Sequence, residues 1–252
     1  MSPLKKPPRK QRLDQLLVDR GLAESRTRAQ ALILAGLVYS GEQRLEKPGQ
    51  NLDAAASLEV RGRDHPWVSR GGVKLAHGLE HFAISVQGNI CLDLGASTGG
   101  FTDVLLAHGA AKVFAVDVGQ GQLDWKLRND PRVVVLENTN ARYLSETHVG
   151  TLVDMIVCDA SFIGLETLLP EPLKLAAPGC RLIALIKPQF EVGRENLPRG
   201  GVVRDPALHE SVCRRISAWL SALPGWRVIG VTPSPLLGPK GNREFLIAAR
   251  HV

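Results

Sequence analysis

Apolar positions recur at helical spacing near the start of the chain and in short strand-like runs beyond it. Leu13, Leu16 and Leu17 share one helical face with Gly21 as a stop. Ser25 reads as the N-cap of a second helix that carries Ala29, Leu32 and Ile33 and ends at Gly36. Small strands and turns follow: 37–39, a Ser-Gly turn, a polar stretch through Lys47-Pro48-Gly49, and 57–60. The pattern predicts a compact α+β unit over residues 11–66, near the lower size limit for independent folding. Residues 61–69 read as a linker that Trp67 is able to pin to either side. Apolar runs then alternate with helical stretches at 90–94, 112–117, 133–136, 152–158, 181–186, 228–231 and 244–249. This alternation predicts an α/β domain over 67–252, a mainly parallel sheet wrapped by helices.

Composition narrows the picture. The 252 residues are 44% apolar and 22% charged, which excludes a disordered, collagen-like or disulfide-stapled chain. Cys91, Cys158, Cys180 and Cys213 are far apart and form no C-x-x-C pair, so a reduced compartment, the cytoplasm, is expected, and no metal site. No apolar stretch approaches the ~20 residues that cross a bilayer, and no secretion signal follows the first Met, so no membrane association is expected. Residues 1–10, rich in Pro and Lys, are expected to be a flexible basic arm. Residues 1–72 hold 13 Lys and Arg against 8 Asp and Glu, while the rest holds 18 against 17. Charge confined to one end suits a part that grips a polyanion.

The stretch from Arg12 through Ala29, followed by Gly36-Leu-Val-Tyr, resembles the small RNA-binding module named after ribosomal small-subunit protein four. The resemblance implies that Arg12, Ser25, Arg26, Thr27 and Arg28 lie against an RNA backbone. A helix N-terminus with guanidinium and hydroxyl groups suits phosphate oxygens.

Candidate chemistry lies in the second part. A strand ending at Asp93 runs into Gly95-Ala-Ser97-Thr98-Gly99-Gly100-Phe101, the strand–turn–helix arrangement that admits a nucleotide-like ligand. The turn lacks the second glycine of dinucleotide sites, and Asp93 would repel a pyrophosphate but accept from an ammonium. Asp117 closes the next strand, 22 residues after Gly95, where a carboxylate holds ribose hydroxyls. A ligand with a cationic amino acid and a ribose, S-adenosylmethionine, wants both. Asp159 ends one apolar run and Lys187 another, so an ion pair between neighbouring strands is expected. Lys74, on a predicted helix, and Glu244, opening the last run, complete the order K-D-K-E.

These four residues, the Asp93–Phe101 turn and Ser69-Arg-Gly-Gly-Val-Lys74 closely resemble the FtsJ-type RNA ribose 2′-O-methyltransferases. The preceding RNA-binding module narrows the resemblance to the TlyA family, also called hemolysin-like. The resemblance implies a Rossmann-like seven-stranded methyltransferase sheet with its last strand antiparallel and a small α+β N-terminal RNA-binding domain. It further implies Lys74, Asp159, Lys187 and Glu244 as catalytic residues, and Asn140 beside the turn residues in cofactor binding. S-adenosylmethionine is the implied cofactor and a cytidine ribose of ribosomal RNA the implied substrate, with ribosomal RNA or a ribosomal subunit the only partner expected. Lys187 is expected to act as a neutral base or as a positive post for the developing alkoxide. Two rivals stand beside this: a non-catalytic ribosome-binding factor and a membrane-active hemolysin.

Overall fold

The computed structural model describes residues 10–23, 25–34, 36–62, 65–193 and 197–252. The chain divides into two compact units, one ending at Pro66 and one spanning Trp67–Val252. The expected arm over 1–10 falls mostly outside the described residues. Its last residue is no arm, because Lys10 opens a strand.

The first unit runs β1 (Lys10–Arg12), α1 (Leu13–Asp19), α2 (Arg26–Leu34), β2 (Val38–Ser40), β3 (Gln43–Arg44), β4 (Asn51–Asp53) and β5 (Glu59–Val60). Strands β1 and β4 pair antiparallel, and β2 lies between β3 and β5. Local chemistry sets the helix ends. Ser25 Oγ accepts from Arg28 N–H at 3.2 Å, satisfying a first-turn donor. Gly21 and Gly36 take positive φ of 69° and 70° where the chain leaves each helix. Leu13, Leu17, Ala29, Leu32, Ile33 and Val38 bury together as this unit's own core.

The second unit runs α3 (Gly71–His81), β6 (Ile90–Leu94), α4 (Gly100–Ala107), β7 (Lys112–Val116), α5 (Trp125–Arg128), β8 (Val133–Leu136), α6 (Glu146–Val149) and β9 (Val153–Cys158). There follow α7 (Leu165–Leu168), α8 (Pro170–Leu173), β10 (Ala176–Ile186), α9 (Pro188–Glu191), α10 (Pro206–Ala222), β11 (Trp226–Pro233) and β12 (Phe245–His251). Seven strands form one sheet in the order β11-β12-β10-β9-β6-β7-β8. Strands β10, β9, β6, β7 and β8 are parallel, and β12 is antiparallel to both β10 and β11. The sheet is the one expected, its final strand inserted against the others. β10 begins at Ala176 rather than at residue 181, because an irregularity in pairing between Ala176 and Arg181 absorbs Pro178 and Gly179.

Both faces of the sheet are covered. Leu92, Ile156 and Leu182 lie on one side, Met155, Val157 and Ile183 on the other, all fully buried. Each large apolar side chain so buried contributes roughly 1.5–3 kcal/mol. Strand order reverses beside β6, so the crossovers diverge there and leave a crevice at the carboxyl ends of β6 and β9. Among the described residues no helix is long and apolar enough to cross a membrane.

Candidate active site

Topology delivers the four charged residues to one edge. Asp159 directly follows β9 and Lys187 directly follows β10, at the carboxyl ends of adjacent parallel strands. Glu244 directly precedes β12, whose reversed direction brings its start to the same edge. Ile186 pairs with Phe245, so Lys187 and Glu244 flank one register position. Lys74 comes from the first turns of α3, which packs over the sheet where Gly78 approaches Ile183 and Leu246. Gly72 and Gly100 let the start of α3 pack against Trp67 and α4: a Cβ on Gly72 would lie 2.4 Å from Trp67, and one on Gly100 would lie 2.9 Å from the Gly72 nitrogen. Trp67, free in sequence terms to pin either side, packs within the second unit.

The four form a chain of alternating charge. Lys74 Nζ donates to Glu244 Oε2 at 2.6 Å and lies 3.8 Å from Asp159 Oδ2. Lys187 Nζ stands 2.6 Å from Asp159 Oδ1, 2.9 Å from Ser161 Oγ and 3.3 Å from the Asp159 carbonyl. Three oxygens therefore surround the ammonium, the Ser161 hydroxyl and the Asp159 carbonyl as hydrogen-bond acceptors and Asp159 Oδ1 as an ion-pair partner. Lys74, Lys187 and Glu244 are buried, which charged groups tolerate only when paired.

Beside this chain the turn after β6 is shaped by backbone that favours glycine: Gly95 at φ 81°, Ser97 at 48° and Gly99 at 94°. A Cβ on Gly95 would stand 3.1 Å from the Ala160 backbone, so the turn and the Asp159 segment touch. Asp93 is fully buried. Thr102 Oγ1 donates to its Oδ2 at 2.6 Å, while Oδ1 has no partner. Asp117 holds two backbone amides, Ser97 N–H on Oδ2 and Gly119 N–H on Oδ1. A small cavity opens along Ala96, Ser97, Asp117, Gly119, Leu123 and Glu137. Of the expected cofactor residues Ser97 and Asp117 line it, while Asp93, Gly95, Gly99 and Gly100 belong to the strand, turn and helix start beside it. Phe101 is buried in the core, Thr98 is exposed with its carbonyl on Asp124 N–H, and Asn140 caps the short helix Ala141–Tyr143 through Arg142 N–H.

Sequence reasoning missed Ser161, Thr102 and Glu137, ordinary polar residues given meaning only by position. It also missed Phe162, which is 90% exposed at a φ of 67°, a strained conformation for a bulky side chain, directly after Ser161. No signal in the sequence marks an aromatic as exposed.

In the first unit Arg12 grips Asp14 with two nitrogens at 3.0 and 2.8 Å, and Arg26 reaches the same buried carboxylate at 3.0 Å. These guanidinium groups hold the Asp14 carboxyl well below the usual range, and both arginines stay half-exposed. Thr27 is exposed and Arg28 half-buried.

A model of the FtsJ-like methyltransferases matches residues 67–251, and one of the S4 domain matches residues 11–56. TlyA of Mycobacterium tuberculosis, named a 16S/23S rRNA (cytidine-2′-O)-methyltransferase, is 49% identical over 243 residues, 96% of this chain and 90% of that one. Hemolysin A of Brachyspira hyodysenteriae is 41% identical over 237 residues, 93% of this chain and 98% of that one. A solved structure from Streptococcus thermophilus that carries a hemolysin name superposes with a TM-score of 0.76 at 41% identity, covering 98% of this chain and 90% of that one.

Proposed function

The chain belongs to the FtsJ-like methyltransferase family, in the TlyA group with an S4 domain ahead of the catalytic unit, and from this we propose that it methylates the ribose 2′-hydroxyl of cytidine in ribosomal RNA, with S-adenosylmethionine as donor. The observation that carries the reading is the unbroken chain Glu244–Lys74–Asp159–Lys187 beside the glycine-shaped turn.

The residues fit the donor. Asp93 Oδ1, buried and without a partner, is an acceptor awaiting a cation, which the amino group of S-adenosylmethionine would supply. Asp117 at the cavity keeps lone pairs for ribose hydroxyls, and the turn at Gly95 and Gly99 leaves room for close approach to backbone. When bound, S-adenosylmethionine supplies an electrophilic methyl group on a sulfonium sulfur.

A ribose hydroxyl is a poor nucleophile, so the site has to orient it and stabilise the negative charge that grows on oxygen as the O–H bond breaks and its proton passes to solvent water. The three oxygens around Lys187 Nζ favour its role as a positive post over that of a neutral base. Asp159 holds Lys187 and Lys74 on either side of itself, and Glu244 fixes Lys74 from behind. Arg12 at the end of β1 and Ser25, Arg26, Thr27 and Arg28 at the start of α2 hold RNA phosphates, Arg12 and Arg26 pre-oriented by Asp14. A ribosomal RNA substrate supports the cytoplasmic location expected from the sequence.

Tritium transfer from labelled S-adenosylmethionine to ribosomal RNA of cells lacking the enzyme, followed by nucleoside digestion, tests this. Label recovered as 2′-O-methylcytidine is expected; RNA that stays unlabelled removes the catalytic reading and leaves the non-catalytic ribosome-binding factor.

A further inference from the structure

Gln189 is the second residue of α9, just past Lys187 and Pro188, and only 8% of it is exposed. Its Nε2 lies 3.5 Å from Glu244 Oε1. Glu244 takes the Lys74 ammonium on its other oxygen, and a carboxylate so engaged only accepts. The nitrogen end of the amide therefore faces Glu244 and the oxygen end faces away. That oxygen, Oε1, is buried and has no hydrogen-bond partner. Buried amide oxygens without a donor are few in native proteins, since each has given up water and gained nothing in return. Local rules of this kind are broken at functional sites. Of the three buried atoms without a hydrogen-bond partner among the described residues of the second unit, Asp159 Oδ1 is engaged by the Lys187 ammonium as an ion pair, Asp93 Oδ1 is matched by the donor's amino group, and Gln189 Oε1 has no role in the reaction described above.

We propose that Gln189 positions the substrate: its free carboxamide oxygen accepts a hydrogen bond from the target nucleotide, with the ribose 2′-hydroxyl as the donor. The inference rests on the methyl-transfer reading. Within an RNA strand the 3′-oxygen is esterified, so the 2′-hydroxyl is the one O–H donor each sugar retains. The base contributes a second N–H source, the exocyclic amine of cytosine. A hydroxyl whose hydrogen is held by Gln189 points its lone pairs elsewhere, as attack on a methyl carbon requires. The contact ends with the reaction, because a methyl ether has no proton to donate.

Gln189→Met keeps length and bulk and removes both polar ends. With the full chain and ribosomal RNA from cells lacking the enzyme, its single-turnover rate is expected to fall about tenfold or more. Affinity for S-adenosylmethionine, measured by calorimetry, should stay within about twofold of the parent, and the thermal midpoint should stay within about 3 °C, because removal of an unsatisfied buried oxygen is offset by loss of the donor to Glu244. Gln189→Asn, with its acceptor drawn back by one methylene, should show the same pattern. A lowered midpoint that falls together with cofactor affinity would mark a structural residue and overturn the proposal, as would an unchanged rate. A slowed rate whose residual product is still 2′-O-methylcytidine alone supports the hydroxyl contact, whereas label spreading to other nucleosides points to the base amine and overturns it. A parent protein that labels no RNA refutes the proposed function itself, while an active parent with an equally active variant refutes this inference only.

Discussion

Burial pushes the Asp93 carboxyl up to about 7, against the opposing hydrogen bond from Thr102 and with Asp159 adding to the rise. A raised carboxyl favours the protonated folded state, so its contribution to stability is present below pH ~4 and is lost as pH climbs through about 7. Pairing with a cationic amino group needs the ionised carboxylate and the protonated amine, so affinity for S-adenosylmethionine should tighten by about fivefold from pH 6 to about 7.4 and weaken again above it as the ligand's α-amino group deprotonates, with proton uptake or release visible in calorimetry in two buffers. Glu191 is also raised to about 7 by burial, but its oxygens hold Leu165 N–H and Arg215 rather than the cavity. Asp93→Asn should therefore bind weakly and without that tightening, while Glu191→Gln keeps it. Lys187→Ala should lower methyl transfer by at least about 10²-fold and leave cofactor affinity within a few fold. Retained turnover would take Lys187 out of the reaction. Asp93, Asp159 and Lys187 were legible because a charge interrupts an apolar run; Thr102 and Ser161 were not, since hydroxyls are unremarkable in sequence and acquire a role only through the partner that folding puts beside them.

Elements meet where glycine allows it. The N-termini of α3 and α4 approach so closely that a Cβ on Gly100 would strike Ser69 Oγ and stand 2.9 Å from the Gly72 nitrogen. Gly100→Ala should cost about 1–3 kcal/mol by forcing the helices apart, and should lower turnover beyond the stability loss, since α3 carries Lys74. Thermal melting and kcat on the same preparation check this; an undisturbed midpoint would mean the helices shift freely. In the first unit Ser25→Ala should cost about 1 kcal/mol through the lost cap on α2. That cap was legible, as were the stops at Gly21 and Gly36, because each acts within one turn of its own helix. The convergence of Arg12 and Arg26 on Asp14 was not, because it joins two helices through a carboxylate that looks like an ordinary surface residue in the sequence.

The whole molecule divides its tasks between a unit with its own small core and a unit that carries the sheet. RNA affinity should fall linearly with log salt, by about 0.7–0.9 log units per phosphate held, and removing residues 1–66 should weaken binding and flatten that slope. An unchanged slope would deny the first unit a phosphate grip. By itself the sequence determined which apolar runs become the strands of the large sheet, where the first unit's helices start and stop, and which charged residues end apolar strands, because periodicity, caps and the burial cost of a charge act locally. Periodicity left open that β12 runs backward, which the family resemblance implied, and the tertiary structure places it between β10 and β11. That reversal carries Glu244, at the start of its strand, to the edge where Asp159 and Lys187 end theirs. Tertiary packing also decided that Phe101 faces the core, that Asn140 caps a turn, and that Gln189 keeps a buried oxygen without a partner. The physical reason is common to all of these: strand order and side-chain pairing are settled by contacts between segments far apart in the chain, and no local pattern encodes such a contact.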